Sequence, residues 1–156
     1  SDLRMLINNS ELSDVTFVVE GKPVYASRVH LAARSEHFRA MLFGGMRESE
    51  AGSEIVLSDV SYPVFMRMLE FLYTDSVSDI EPDLAVPLLI ASERYLLDRL
   101  KGLCEDAIRK SITSSNVVHI FMAAHRHRAA DLKEICLEYI IDFLDEVKCS
   151  RGFFEL

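Results

Sequence analysis

The chain has 156 residues, 49% of them hydrophobic and 27% charged, a mix that buries enough apolar surface to offset the entropy of ordering one continuous core. Its 17 Lys and Arg against 25 Asp and Glu give a net charge of −8. Such a field repels phosphate backbones and anionic lipid, which argues against nucleic acid or a membrane surface as partner. The apolar run 85–91 is interrupted by Pro87 and falls far short of the ~20 residues of a membrane helix.

Leu3, Leu6 and Ile7 mark one face of a short helix after a possible N-cap at Asp2. From Asp14, Val15, Phe17 and Val19 alternate with Thr16, Val18 and Glu20, the period of a half-buried strand, with a tight turn at Gly21-Lys22 and a returning strand over 23–26. Ser27 and Ser35 are placed to cap two consecutive helices, the second bearing Phe38, Met41 and Leu42 on one face and ending at Gly44-Gly45. An exposed polar loop over 47–53 precedes a short third strand, 54–57.

The remainder reads as helix. Residues 62–73 carry Val64, Phe65, Met68, Leu69 and Leu72 on one stripe, with Pro63 in the first turn. After a possible brief strand near Val77, helices over 83–95 and 97–111 form an antiparallel pair. Capping residues at 113–116 open a further helical hairpin, and Asp131 is positioned to cap one long helix whose stripe runs from Leu132 to Val147. Ser1-Asp2 and the two aromatics Phe153-Phe154 read as cuts from a longer polypeptide.

Residues with chemical potential are few. His125 and His127 are two apart, so on a helix they face different directions and make a poor ligand pair for one metal ion. Cys104, Cys136 and Cys149 are an odd number without ligand spacing, which fits a reducing compartment, cytoplasm or nucleus. Glu105 and Asp106 beside Cys104 disfavour its thiolate, and no Gly-rich phosphate loop occurs. Asp14 and Arg28 are charges embedded in the most apolar part of the N-terminal half, either unrelated surface groups or a partly buried pair. Met46, in a polar loop after two glycines, has no core-facing period to explain it.

The segments Ser13-Asp14-Val15-Thr16-Phe17, Tyr25-Ala26-Ser27-Arg28, Leu31-Ala32-Ala33-Arg34-Ser35 with Phe38, Met46-Arg47-Glu48 and Phe71-Leu72-Tyr73-Thr74 together resemble a BTB/POZ domain. The resemblance covers residues 1–111. Residues 112–156 resemble the three-box and the start of a BACK region, an extension typical of adaptors for cullin-3 ubiquitin ligases. It implies an α+β fold of helices clustered around a small sheet, homodimerisation, no catalysis and no cofactor.

By the same resemblance, Met46 and Glu48 form the hydrophobic-x-Glu motif that touches the cullin-3 N-terminal region, with Tyr73 and Thr74 beside that surface. The substrate would be captured by domains outside these residues. Leu3, Leu6 and Ile7 are expected at the dimer interface, with Phe38 either there or in the core. Two departures stand out: Ser27 occupies a position where the family often has histidine, and almost nothing precedes the first helix. The competing reading is the dimerisation domain of a transcriptional regulator that recruits corepressor peptides, a class that usually ends before the helices beyond Ser111.

Overall fold

In a computed structural model that describes residues 2–45, 54–150 and 153, β1 (Val15–Val19) is the centre of a three-stranded sheet of order β2-β1-β3. It pairs antiparallel with β2 (Lys22–Ala26) and parallel with β3 (Glu54–Leu57). The alternation in the sequence is realised directly, with Val15, Phe17 and Val19 buried and Thr16 and Val18 half-buried. The hairpin register places Val19 opposite Lys22, so the turn residues are Glu20 and Gly21 rather than Gly21 and Lys22. Both have positive φ, 51° and 76°, as the tight turn that matches strand twist requires.

A parallel β1–β3 pair needs a crossover, which is supplied by α1 (Arg28–Arg34) and α2 (Glu36–Phe43). The Ser27 and Ser35 side chains accept from the His30 and Phe38 N–H groups, capping the two helices as expected. Phe38 is fully buried, edge-on to Phe17 with ring centroids 5.7 Å apart and stacked on Tyr95 at 5.1 Å. Of the two places the sequence allows it, Phe38 takes the core and is unavailable to a second chain.

Helix α3 (Tyr62–Thr74) crosses this aromatic centre and is buried almost continuously from Met68 to Tyr73. Helices α4 (Pro82–Arg94) and α5 (Asp98–Ser111) follow as a hairpin. Then come α6 (Val117–Arg126), α7 (Ala130–Asp142) and α8 (Leu144–Lys148). Val117, Ala124, Leu132 and Cys136 belong to the same buried cluster as Phe17 and Phe65.

Several local expectations are corrected. Residues 2–6 form a 3-10 helix in which Leu3 is exposed while Leu6 and Ile7 pack half-buried against the chain's own core. No strand forms near Val77. Asp131 is not the N-cap, because α7 begins at Ala130 and places it within the first turn, where its carboxylate accepts from Lys101 Nζ at 2.5 Å. The single stripe from Leu132 to Val147 breaks at Phe143, which leaves helical geometry (φ −126°, ψ 38°) and exposes Phe143 and Leu144.

Asp14 and Arg28 do meet, but not as a buried ion pair. Asp14 is exposed and Arg28 buried. The Asp14 carboxylate accepts from the Arg28 backbone N–H at 2.7 Å, while the guanidinium donates to the carbonyls of Asp14 and Leu42, each at 3.3 Å. The carboxylate thus caps the first turn of α1, and the guanidinium supplies a donor to an otherwise orphaned carbonyl at the end of α2. Loss of this cap in Asp14→Ala should cost ~1–2 kcal/mol in thermal or urea melts, whereas Asp14→Asn, which keeps an acceptor oxygen, should cost clearly less. Equal losses of ~3 kcal/mol or more from both variants would restore the buried ion pair.

Candidate functional site

The C-terminal end of α3, where the sequence places Tyr73 and Thr74, is built from inward-facing groups. Tyr73 is 1% exposed. Its hydroxyl accepts from the Ser27 N–H at 2.9 Å and its ring stacks on His30 at 4.5 Å. Burial, and then the nearby Arg34 guanidinium, push the His30 pKa down. Tyr73 is therefore a support for the end of β2 and the start of α1 rather than a displayed contact. The backbone bond it makes at Ser27 is one that the missing histidine does not affect.

Half-buried Thr74 donates from Oγ1 to the Glu70 carbonyl at 2.6 Å and accepts from the Ser76 N–H at 3.3 Å, closing the helix end. Asp75 follows with φ 61°. It is paired with Arg34 and, at 2.7 Å, with Arg99. Both guanidiniums lie over the Phe71 ring, 5.6 and 5.9 Å from its centroid.

One turn earlier is Glu70, whose side chain is 10% exposed. Its carboxylate accepts from Arg4 at 2.6 Å, Arg67 at 3.0 Å, the Ser78 N–H at 3.0 Å and the Ser78 hydroxyl at 2.7 Å. Arg67 also donates to the carbonyls of Ser78 and Asp79 and to Glu81. The backbone of 78–79 is thus spent on side chains, which is why no strand forms there. The segment instead forms one wall of a groove of about 510 Å³ against Arg99, Leu103 and Lys110 on α5. Sequence periodicity missed Glu70, because its partners include a residue 66 positions away.

Met46 and Glu48 lie outside the described residues. Of the expected interface residues, Leu3 is exposed, and Met5 at 68% and Val29 at 69% exposure are further exposed apolar side chains. The thiols of Cys104 and Cys136 are buried and pushed up to about 12 and about 11 by desolvation, in Cys104 with help from Glu105. His125 and His127 are exposed, with His125 Nδ1 3.2 Å from Lys133 Nζ. Among the described residues no group of three or more His, Cys, Asp or Glu could hold a metal ion, and no helix is long and apolar enough to cross a membrane.

Burial raises the pKa of Glu70, but the hydrogen bonds from Ser78, Arg4 and Arg67 outweigh it and hold the carboxyl at about 2 against an ordinary 4.5. A lowered folded-state pKa contributes stability that is complete above the ordinary value and is lost as pH falls from about 4.5 to about 2. Glu70→Gln should cost ~2 kcal/mol at neutral pH and flatten the melting temperature across that acid window. An unchanged acid slope in the variant would mean that another group controls it.

The sequence model of the BTB/POZ domain matches residues 3–112. An Arabidopsis thaliana protein described as an ARM repeat protein interacting with ABF2 is 40% identical over 90% of this chain and 20% of its own length. BTB/POZ and MATH domain-containing protein 6, from the same plant, is 34% identical over 97% of this chain and 40% of its own. Human BTB/POZ domain-containing protein 9 is 33% identical over 97% of this chain and 25% of its own. The chain thus spans 20–40% of the length of these relatives. In architecture it is similar to the BTB domains of human gigaxonin (TM-score 0.52, 24% identity, 60% of this chain and 75% of that one) and zebrafish PATZ1 (0.56, 23%, 70% and 92%). With the capped helix pair between β2 and β3, the parallel β1–β3 pairing and the family match over 3–112, the chain belongs to the BTB/POZ family, whose members are protein-interaction modules.

Proposed function

We propose that the chain is a dimeric, non-enzymatic adaptor that binds the N-terminal region of cullin-3, while domains outside these residues capture the substrate. In this reading residues 1–111 are the BTB/POZ domain and 112–156 the three-box and the start of a BACK region. The observation that carries it is that the packed core continues past residue 112. Val117, Ala124, Leu132 and Cys136 share that core, and Lys101 on α5 reaches Asp131 on α7 at 2.5 Å and Glu93 on α4 at 3.4 Å. The BTB/POZ unit and the following hairpin therefore present one surface. Two relatives carry ARM or MATH in their names and run well beyond the 20% and 40% of their lengths that this chain matches, which supports a separate substrate-recognition part.

Met46 is assigned to an apolar pocket on the cullin, and Glu48 to hydrogen bonds with the cullin or its own loop. Tyr73, being buried, acts through the fold, and Thr74 through the turn it closes. The dimer surface is assigned to Leu3 and Met5 with the edges of Leu6 and Ile7.

Truncating an adaptable apolar anchor at an interface centre costs ~2 kcal/mol or more, so Met46→Ala should weaken binding to a cullin-3 N-terminal fragment roughly thirtyfold or more by calorimetry. Glu48→Ala should weaken it as well, and neither variant should shift the melting temperature. Wild-type affinity in both variants would move the interface elsewhere, and no binding by the wild type would return the lead to a corepressor-recruiting dimer. Light scattering at micromolar concentration should give twice the chain mass, falling to the monomer mass in the Leu3→Glu, Met5→Glu double variant. A monomeric wild type would contradict the dimer.

A further inference from the structure

Ser78 is an exposed residue whose hydroxyl donates to a nearly buried carboxylate, that of Glu70, at 2.7 Å. It lies within residues 75–81, the stretch between α3 and α4 that forms neither helix nor strand. Val77 and Ile80 pack against the core on either side of it, while Ser76, Ser78, Asp79 and Glu81 are exposed. The backbone here is held by side chains: Glu70 accepts from the Ser78 N–H, and Arg67 donates to the carbonyls of Ser78 and Asp79. Such a segment can be drawn into the extended shape that a modifying enzyme reads without opening a helix or a sheet ladder.

The flanking charges narrow the kind of modification. Asp79 directly follows Ser78, and Glu81 stands three residues after it with its side chain 54% exposed. Among the described serines and threonines, only Ser78 is followed by acidic residues at both of these offsets. A protein kinase whose peptide groove is basic selects its acceptor hydroxyl through carboxylates placed in this way.

We propose that Ser78 is phosphorylated by an acid-directed serine kinase and that the phosphate releases residues 2–6 from α3. In the transfer, Ser78 Oγ bonds to the γ-phosphorus of ATP as the bond to the bridging oxygen breaks, ADP leaves, and the hydroxyl proton passes to the kinase's base. Phosphoserine carries about −1.5 to −2 charge at neutral pH, and the hydroxyl donor is gone. At this place it faces the carboxylate of Glu70, where the two arginines Arg4 and Arg67 already balance Glu70 and Glu81. The added charge is uncompensated, and like-charge repulsion drives the two groups apart. Arg4, whose side chain is 49% exposed, turns from Glu70 to the phosphate, the stronger acceptor. Its 3-10 helix thereby loses a tie to α3. The same helix carries Leu3 and Met5, so the modification also weakens the dimer, a last step that alone rests on the dimer surface proposed above.

The test is to incubate the folded 156-residue chain with ATP and an acid-directed serine kinase, map the product by peptide mass spectrometry, and compare hydrogen exchange of the two forms. The expected product carries phosphate at Ser78, and labelling of this site slows in Asp79→Asn, which leaves both Ser78 bonds to Glu70 in place. Amides over 3–7 and 76–80 should exchange at least ~tenfold faster in the phosphorylated form, with β1 unchanged. Ser78→Glu should lower the melting temperature more than Ser78→Ala, because only the first adds a like charge beside Glu70. Absence of phosphate at Ser78, its appearance only after heat unfolding, or unaltered exchange over 3–7 once Ser78 is phosphorylated would overturn the proposal. Light scattering reads the dimer separately: the mass should fall on phosphorylation, and an unchanged mass together with faster exchange would overturn the assembly step alone.

Discussion

Helix α3 is buried on nearly its whole circumference from Met68 to Tyr73, and in the middle of that stretch it carries a carboxylate. An ionised group removed from water costs several kcal/mol unless it is paired and hydrogen-bonded. Glu70 is satisfied only when the N-terminal 3-10 helix brings Arg4, α3 itself aims Arg67, and the segment after α3 turns back to present Ser78. Three separate pieces of chain are thereby held in one arrangement. Arg67 extends the constraint to Asp79 and Glu81, immediately before α4 begins, so the entry of the α4–α5 hairpin is positioned by the same cluster.

The apolar and polar parts of the fold divide the labour. Phe17, Phe38, Phe65 and Tyr95 form a packed aromatic centre within a larger apolar core whose burial supplies the bulk of the driving force. That centre is tolerant of small shifts, whereas buried polar clusters fix a unique arrangement because an unsatisfied member is costly. Glu70, Arg28 and Tyr73 perform this second task at three places. Arg28 joins the start of β1 to the end of α2, and Tyr73 joins the end of α3 to the start of α1.

The sheet, the two Ser-capped helices and the apolar face of α3 were legible because each follows from residues a few positions apart: alternation in β1, Ser27 and Ser35 before helical runs, the stripe from Val64 to Leu72. What escaped reading depends on distant groups. Asp131 looks like a cap, but α7 begins one residue before it, and its carboxylate meets Lys101, 30 residues away. Phe143 has helical spacing with its neighbours and no Gly or Pro beside it, so nothing local announces the break between α7 and α8. Arg28 and Asp14 are recognisable as charges in an apolar setting, but which atoms bond depends on how the first turn of α1 meets the residue before β1. Tyr73 is placed beside the cullin surface by resemblance alone, and its position at a helix end says nothing of the backbone donor waiting at Ser27.

At the end of α3 the Tyr73 ring is buried and its hydroxyl is bonded to Ser27, so the function proposed above leaves recognition in this region to Met46 and Glu48. Hydrogen–deuterium exchange of the chain alone and saturated with a cullin-3 N-terminal fragment tests that assignment most directly. The expected result is slowed exchange over the 46–48 segment and the turn at 74–76, with the amides of β1 and the interior of α3 unchanged. Slowing confined to α6–α8, or no change anywhere at saturation, would contradict it.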